Sequence, residues 1–165
     1  KDGKRILGKE PGITCTVNQN RPESKGSIHI KSDDPEEYPS IRFNFLSNQL
    51  DRDTLVAGVK LIRQIMQSDP MKEFCNDEIQ PGLAFASDED ILNYIKDKAE
   101  TVYHPVGTCK MGFDEYSVVD KNLKVHGIKG LRIADASIMP TLISGNTNAA
   151  CMMIGERCAD FILNN

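Results

Sequence analysis

One stretch, Tyr103 to Ile154, restricts what this chain can fold into more than any other. It begins YHPVGTCKMG, placing His104 in a tight segment bounded by Pro105 and Gly107. Further on, the apolar run Leu131-Arg132-Ile133-Ala134 ends in Asp135, between Gly130 and a polar turn. That turn carries Asn146 and Asn148 directly into an apolar segment of helical character. An imidazole, a carboxylate and two carboxamides at the ends of separate elements suggest a polar reaction centre assembled against a bound cofactor.

The rest of the chain supplies the frame. Ser27 to Lys31 alternates, with Ile28 and Ile30 on one face, and Ile41 to Leu46 alternates again with Ile41, Phe43 and Phe45. Period-two patterning predicts two half-buried strands, joined by the polar loop SDDPEEYPS into an antiparallel pair. Thr14 to Val17 reads as a possible short strand after a turn-rich opening from Lys1. Between Asp51 and Ser68 the period changes. Leu55, Val59, Ile62 and Met66 recur three or four apart, which predicts a helix with one apolar stripe closed by Pro70. Gly58 costs that helix roughly 1 kcal/mol relative to alanine. Ser87 followed by Asp90 is a capping-box pattern, opening a second helix to about Ala99 with Ile91, Leu92 and Ile95 inward. The 131–134 run predicts a buried strand, and Asn148 to Leu163 the closing helix.

Bulk properties exclude several classes. With 165 residues the chain is long enough for a sizeable core. A net charge of −4 without a Lys/Arg cluster argues against nucleic acid as a partner. No apolar run approaches a membrane-spanning length, so no transmembrane segment is expected. The first residues lack the apolar core of a signal peptide. Five cysteines without a CxxC pair signal neither a disulfide framework nor a zinc site. Reduced, buried thiols in an intracellular protein are the expectation, with association to a membrane left open.

Each candidate residue has a structural reading beside a chemical one. His104 suits proton transfer near neutral pH, yet a lone histidine is commonly structural. Asn146 and Asn148 suit helix capping, or an anion or electron-rich ring edge at a helix N-terminus. Asp135 suits a turn or cap, or a ligand hydroxyl at a strand end. His29 and His126 carry no such signal. Met152-Met153 is read as core, and the acidic stretch from Asp33 to Glu37 as a solvated loop.

YHPVGTCKMG, GLRIADASIMP and SGNTNAACMMIGERCADFI together resemble the carboxy-terminal portion of the glucose–methanol–choline family of FAD-dependent oxidoreductases. RPESKGSIHIKSDDP followed by SIRFNFLSNQLD resembles the strand region upstream in that family, so the resemblance runs from about Arg21 onward. Among members, the wording is most similar to choline-dehydrogenase-like and aliphatic alcohol dehydrogenases. The resemblance implies that His104 is the base taking the substrate hydroxyl proton. It implies that Asn146 is the second active-site position. Asp135 and Ala136 would contact the ribityl–pyrophosphate region of FAD, and Asn146, Thr147, Asn148 and Ala149 would approach the flavin. Alcohol oxidation would then remove the O–H proton while hydride leaves carbon for flavin N5. His104 and Asn146 would hold the oxygen, and the closing helix would favour charge near flavin N1 and O2. The fingerprint G-x-G-x-x-G is absent, and Ala150-Cys151 stands where related sequences often have Pro-Thr.

The resulting expectation is an α+β fold from the carboxy-terminal third of a larger enzyme. Residues 1–112 would belong to a substrate domain, an antiparallel sheet with covering helices. Residues 113–165 would return to an FAD-binding α/β domain as a strand and terminal helix. The expected activity is oxidation of a small-molecule primary alcohol, choline-like or aliphatic, with a separate electron acceptor that is quinone-like or O2. Alternatives are a non-catalytic truncated product, a binding or structural domain, or an oxidase or sugar dehydrogenase of the same family. The oligomeric state is left open.

Overall fold

A computed structural model describes residues 11–164. The turn-rich opening expected from Lys1 lies outside the described residues as far as residue 10. The fold mixes helices with one small antiparallel sheet. Its elements are β1 (Ser27–His29), β2 (Ser40–Arg42), α1 (Gln49–Met66), α2 (Asp69–Lys72), α3 (Asp88–Lys98), a 3-10 turn (Ala136–Ile138) and α4 (Asn148–Leu163). The chain divides into two compact units. Among described residues, one comprises 11–19 and 49–99, the other 20–48 and 100–164.

The first unit is helical. α1 packs against α3, and Val56, Ile91 and Ile95 are its buried apolar side chains. The expected stripe of Leu55, Val59, Ile62 and Met66 is half-buried. Gly58 has a packing reason: a Cβ there would run into the side chain of Val17. Thr14 to Val17 is therefore not a strand; Val17 lies over a helix and pairs with no ladder. α3 opens as its sequence predicts, in a capping box. The Ser87 hydroxyl accepts from Asp90 N–H at 3.1 Å, and the Asp90 carboxylate accepts from Ser87 N–H at 3.2 Å. The Ser87 contacts hold the exposed Asp90 carboxyl below its ordinary value, the side-chain hydroxyl first and the backbone N–H second. Arg63 fixes the loop before α3. Its guanidinium pairs with Glu78 at 2.8 Å and donates to the carbonyls of Phe85 and Gly82 at 2.8 and 3.2 Å.

The second unit holds β1 and β2, antiparallel with Ile28 opposite Ile41. Gly26 lies so close to the next strand that a Cβ would strike the Arg42 carbonyl. The expectation that these strands are half-buried fails. Ile28, Ile30, Ile41, Phe43 and Phe45 are all exposed, and Phe43 stacks on Phe45 at 5.1 Å. Alternation marks one apolar side of each strand but does not specify what covers it. The core of this unit is Val119, Leu123, Ile138, Met139, Ile154 and Cys158. The strand expected at 131–134 is also corrected. Lys124 and Arg132 form one isolated antiparallel bridge, with Val125 N–H donating to Leu131 O and Ile133 N–H to Leu123 O. Leu123, Gly127 and Gly130 all take positive φ, which breaks the ladder on either side.

The five cysteines are free; Cys158 is buried and Cys15 exposed. Among the described residues, no helix is long and apolar enough to cross a membrane.

Candidate functional site

His104 lies on a loop whose path is over-determined. Tyr103, just before it, has φ of +61°, a conformation that costs a residue with a Cβ roughly 1–2 kcal/mol. Such backbone persists only where its surroundings impose it. Pro105 follows, with φ fixed by its ring. Gly107 takes φ of +86°, and a Cβ there would stand 3.3 Å from the Met139 carbonyl oxygen. Beyond it, the N–H groups of Cys109 and Met111 donate to the carbonyls of Ser137 and Ile138 at 3.0 and 2.8 Å. The His104 loop is thus stitched to the 3-10 turn, which contacts α4 through the same core.

The imidazole reaches the start of α4. His104 Nδ1 lies 3.0 Å from Thr147 Oγ1. His104 is half-buried, while Thr147 is only 8% exposed. Thr147 occupies the N-cap position of α4, but its side chain makes no capping hydrogen bond. The capping reading of the two asparagines is thereby overturned, since neither Asn146 nor Asn148 holds that position. The first N–H groups of any α-helix lack intrahelical partners, and the helix dipole places positive potential beside them. Asn146, Asn148 and Ala149 are exposed there. Such a helix start can receive an electron-rich acceptor. Ahead of it, Arg21 Nε donates to Ser144 Oγ at 2.6 Å.

Asp135 has a structural task. One carboxylate oxygen accepts from Ser137 N–H at 2.7 Å, capping the turn that Ala136 begins. The carboxylate is exposed, and its further lone pairs can still accept from a ligand hydroxyl. The structure therefore brings His104 and Thr147 into contact, and Asn146 adjoins Thr147 in the chain. Asp135 and Ala136 belong to the turn that holds the His104 loop.

Two other acids shape the neighbouring loops. Lys110 is the main reason the Asp114 carboxyl is held down at about 2, with the Ser117 hydroxyl and Tyr116 N–H adding to it. Burial pushes the Asp120 carboxyl up, but the N–H groups of Lys124 and Asn122 and the charges of His126 and Lys124 outweigh it. His126 Nε2 donates to the Gly112 carbonyl at 3.0 Å, a loop contact. His29 lies exposed on β1.

Residues 22–155 match the family model described as GMC oxidoreductase. The chain belongs to the GMC oxidoreductase family. It is 45% identical over 154 residues to the oxygen-dependent choline dehydrogenase of Escherichia coli K12, covering 93% of this chain and 28% of that protein. The same figures hold for the protein of that name from Shigella flexneri serotype 5b. The chain thus spans about 28% of the length of the curated relatives it matches. Among solved structures, pyridoxine 4-oxidase from Mesorbium loti superposes with a TM-score of 0.82 at 31% identity, over 88% of this chain and 28% of the other. An FAD-dependent oxidoreductase from Chaetomium thermophilum gives 0.81 at 28% identity, over 86% and 25%. Formate oxidase from Aspergillus oryzae gives 0.74 at 32%, over 84% and 24%. This GMC chain is therefore similar to flavoprotein oxidoreductases along most of its length, and to about a quarter of theirs.

The family resemblance implies for Thr147 only a place near the flavin. Its contact with His104 spans 43 positions, and no local period encodes a pair that distant.

Proposed function

We propose that this chain works as the carboxy-terminal part of an FAD-dependent enzyme that oxidises a primary alcohol, choline-like or aliphatic, to the aldehyde. In this reading residues 1–112 belong to the substrate domain and residues 113–165 to the FAD domain. The observation that carries it is His104, held on an over-determined loop at the open start of α4, in a chain 45% identical to choline dehydrogenase.

In this role His104 takes the hydroxyl proton at Nε2, because Nδ1 is engaged with Thr147. The Asn146 carboxamide donates to the alcohol oxygen and stabilises the charge developing there. An amide has no basic nitrogen, so the proton falls to His104 alone. FAD, when bound, supplies the acceptor for the hydride leaving the alcohol carbon. Asp135, Ala136, Asn146, Thr147, Asn148 and Ala149 are the residues of this chain that would adjoin it. Fit is supported by the start of α4, where the side chain of the N-cap residue Thr147 makes no capping hydrogen bond to the first-turn N–H groups. Those N–H groups would donate to the pyrimidine edge, and the helix dipole would favour negative charge there.

The test is His104→Ala in the full-length enzyme. Turnover of choline and short aliphatic alcohols is expected to fall by about 10²–10⁴-fold while flavin absorbance is retained. An unchanged rate would remove His104 from the role. A second reading concerns the electron acceptor. The similar structures include enzymes named as oxidases, and the curated relatives are called oxygen-dependent. O2 would then be the electron acceptor in place of a quinone-like one. Oxygen uptake measured against quinone reduction, on choline and on an aliphatic alcohol, separates the two.

A further inference from the structure

The contact between His104 and Thr147 fixes more than a position. A neutral imidazole carries its proton on one ring nitrogen and a lone pair on the other. If the Thr147 hydroxyl donated into Nδ1, the ring proton would sit on Nε2, leaving that atom a donor and no base. If Nδ1–H donates to Thr147 Oγ1, the Nε2 lone pair is free. The 3.0 Å separation suits either direction, but only the second is compatible with proton uptake at Nε2.

We infer that Thr147 is a positioning residue. Its hydroxyl oxygen accepts from His104 Nδ1–H and holds the imidazole in the tautomer that can receive the alcohol proton. The inference rests on the base role proposed above. Three features support it. Thr147 is buried and β-branched, so its hydroxyl is held nearly fixed. Its side chain makes no cap bond at α4, so the oxygen is not already occupied by a helix N–H. The same hydrogen bond survives when Nε2 takes the proton, because Nδ1 stays a donor in the imidazolium. The site therefore needs no rearrangement during proton transfer. Backbone and side chain divide the labour. Tyr103 and Pro105 aim the ring, and Thr147 sets where its proton sits.

The experiment compares Thr147→Val, which keeps the shape and removes the hydroxyl, with Thr147→Ser, which keeps the hydroxyl, in full-length holoenzyme. Removing the partner that orients a metal-bound imidazole costs about 10–100-fold, and a loss of that order is expected for a positioned base. Thr147→Val is expected to lose that much in kcat for choline, with KM within about three-fold and flavin content unchanged. Thr147→Ser is expected to recover most of the loss. The second readout uses 15N-histidine labelling, in which the neutral ring of wild-type His104 should show Nδ1 protonated and Nε2 bare. This measurement needs no variant, so it decides the matter even if the valine protein fails to fold. A wild-type His104 protonated at Nε2 overturns the inference. So does a Thr147→Val enzyme with wild-type kcat while His104→Ala is inactive, and in that case the base role stands. An active His104→Ala enzyme overturns both.

Discussion

The two compact units of this chain were built by different rules. The helical unit, residues 11–19 and 49–99, is organised by side-chain period. α1 and α3 each present one stripe, and Ile91 and Ile95 are buried where the two helices pack. The other unit is organised by backbone exceptions. Asn44, Leu46, Tyr103 and Leu123, all non-glycine residues with positive φ, lie within it, as do Gly107, Gly127 and Gly130. Among the described residues, the helical unit has Gly82 alone in that region. The two modes of construction differ in where they can place chemistry. A stripe buries area and fixes a helix, but it sends side chains out at regular intervals. Strained turns can aim one imidazole at one helix start, and the surrounding packing bears their cost.

Substitutions in each unit test whether the two respond separately. Ile91→Ala and Ile138→Ala each delete a buried side chain, one per unit, and each should cost about 2–5 kcal/mol in denaturant unfolding. Their consequences should part at the site. Ile138 lies in the turn whose carbonyl receives Met111 N–H, so its loss should loosen the His104 loop, read as faster amide exchange at Cys109 and Met111. Ile91→Ala should leave those amides protected; equal loosening would show that the contrast is not real.

Gly107→Ala comes next. At φ of +86°, and 3.3 Å from the Met139 carbonyl oxygen, the new methyl should cost about 1–2 kcal/mol and displace the loop that carries His104. An unshifted His104 signal in a histidine NMR spectrum would count against the stitched-loop account. Ser87→Ala removes one side of the capping box and should cost about 1 kcal/mol, with fraying confined to the first turn of α3.

The smallest effect is a pH response. Asp114 is exposed, and its carboxyl is lowered from 3.8 to about 2, chiefly by Lys110. A lowered folded-state value means the contribution is present above the ordinary value and is lost as pH falls through the folded one. The Lys110–Asp114–Ser117 turn should therefore loosen between pH 3.8 and about 2, without global unfolding. A carboxyl carbon titration of Asp114 with its midpoint at the ordinary value would remove the Lys110 contact from solution. The Tyr116 amide, which donates to Asp114 at 2.9 Å, should shift over the same interval.

Legibility followed locality, in both units. α1, α3 with its capping box, and the span of α4 could be read because periodicity and capping are local; the reading of Met152 and Met153 as core fails, since both are exposed on α4. The run 131–134 could not. Its composition says apolar and extended, but a strand requires a partner with matching register. Leu123, Gly127 and Gly130 bend that partner away after one bridge. Asp135 shows how one residue can satisfy both of its readings. It caps the turn that holds the His104 loop, and it remains exposed for a ligand.

By itself, the sequence determined the family, the helices and the residue types able to move a proton, because those rest on motifs and on spacings of a few residues. Only the tertiary structure decided that His104 meets Thr147 and that neither asparagine caps α4. Those outcomes depend on bringing together segments more than forty positions apart along the chain, or on which of several adjacent polar groups wins a helix end. Neither is encoded in a local pattern, because both are settled by the packing of the whole unit.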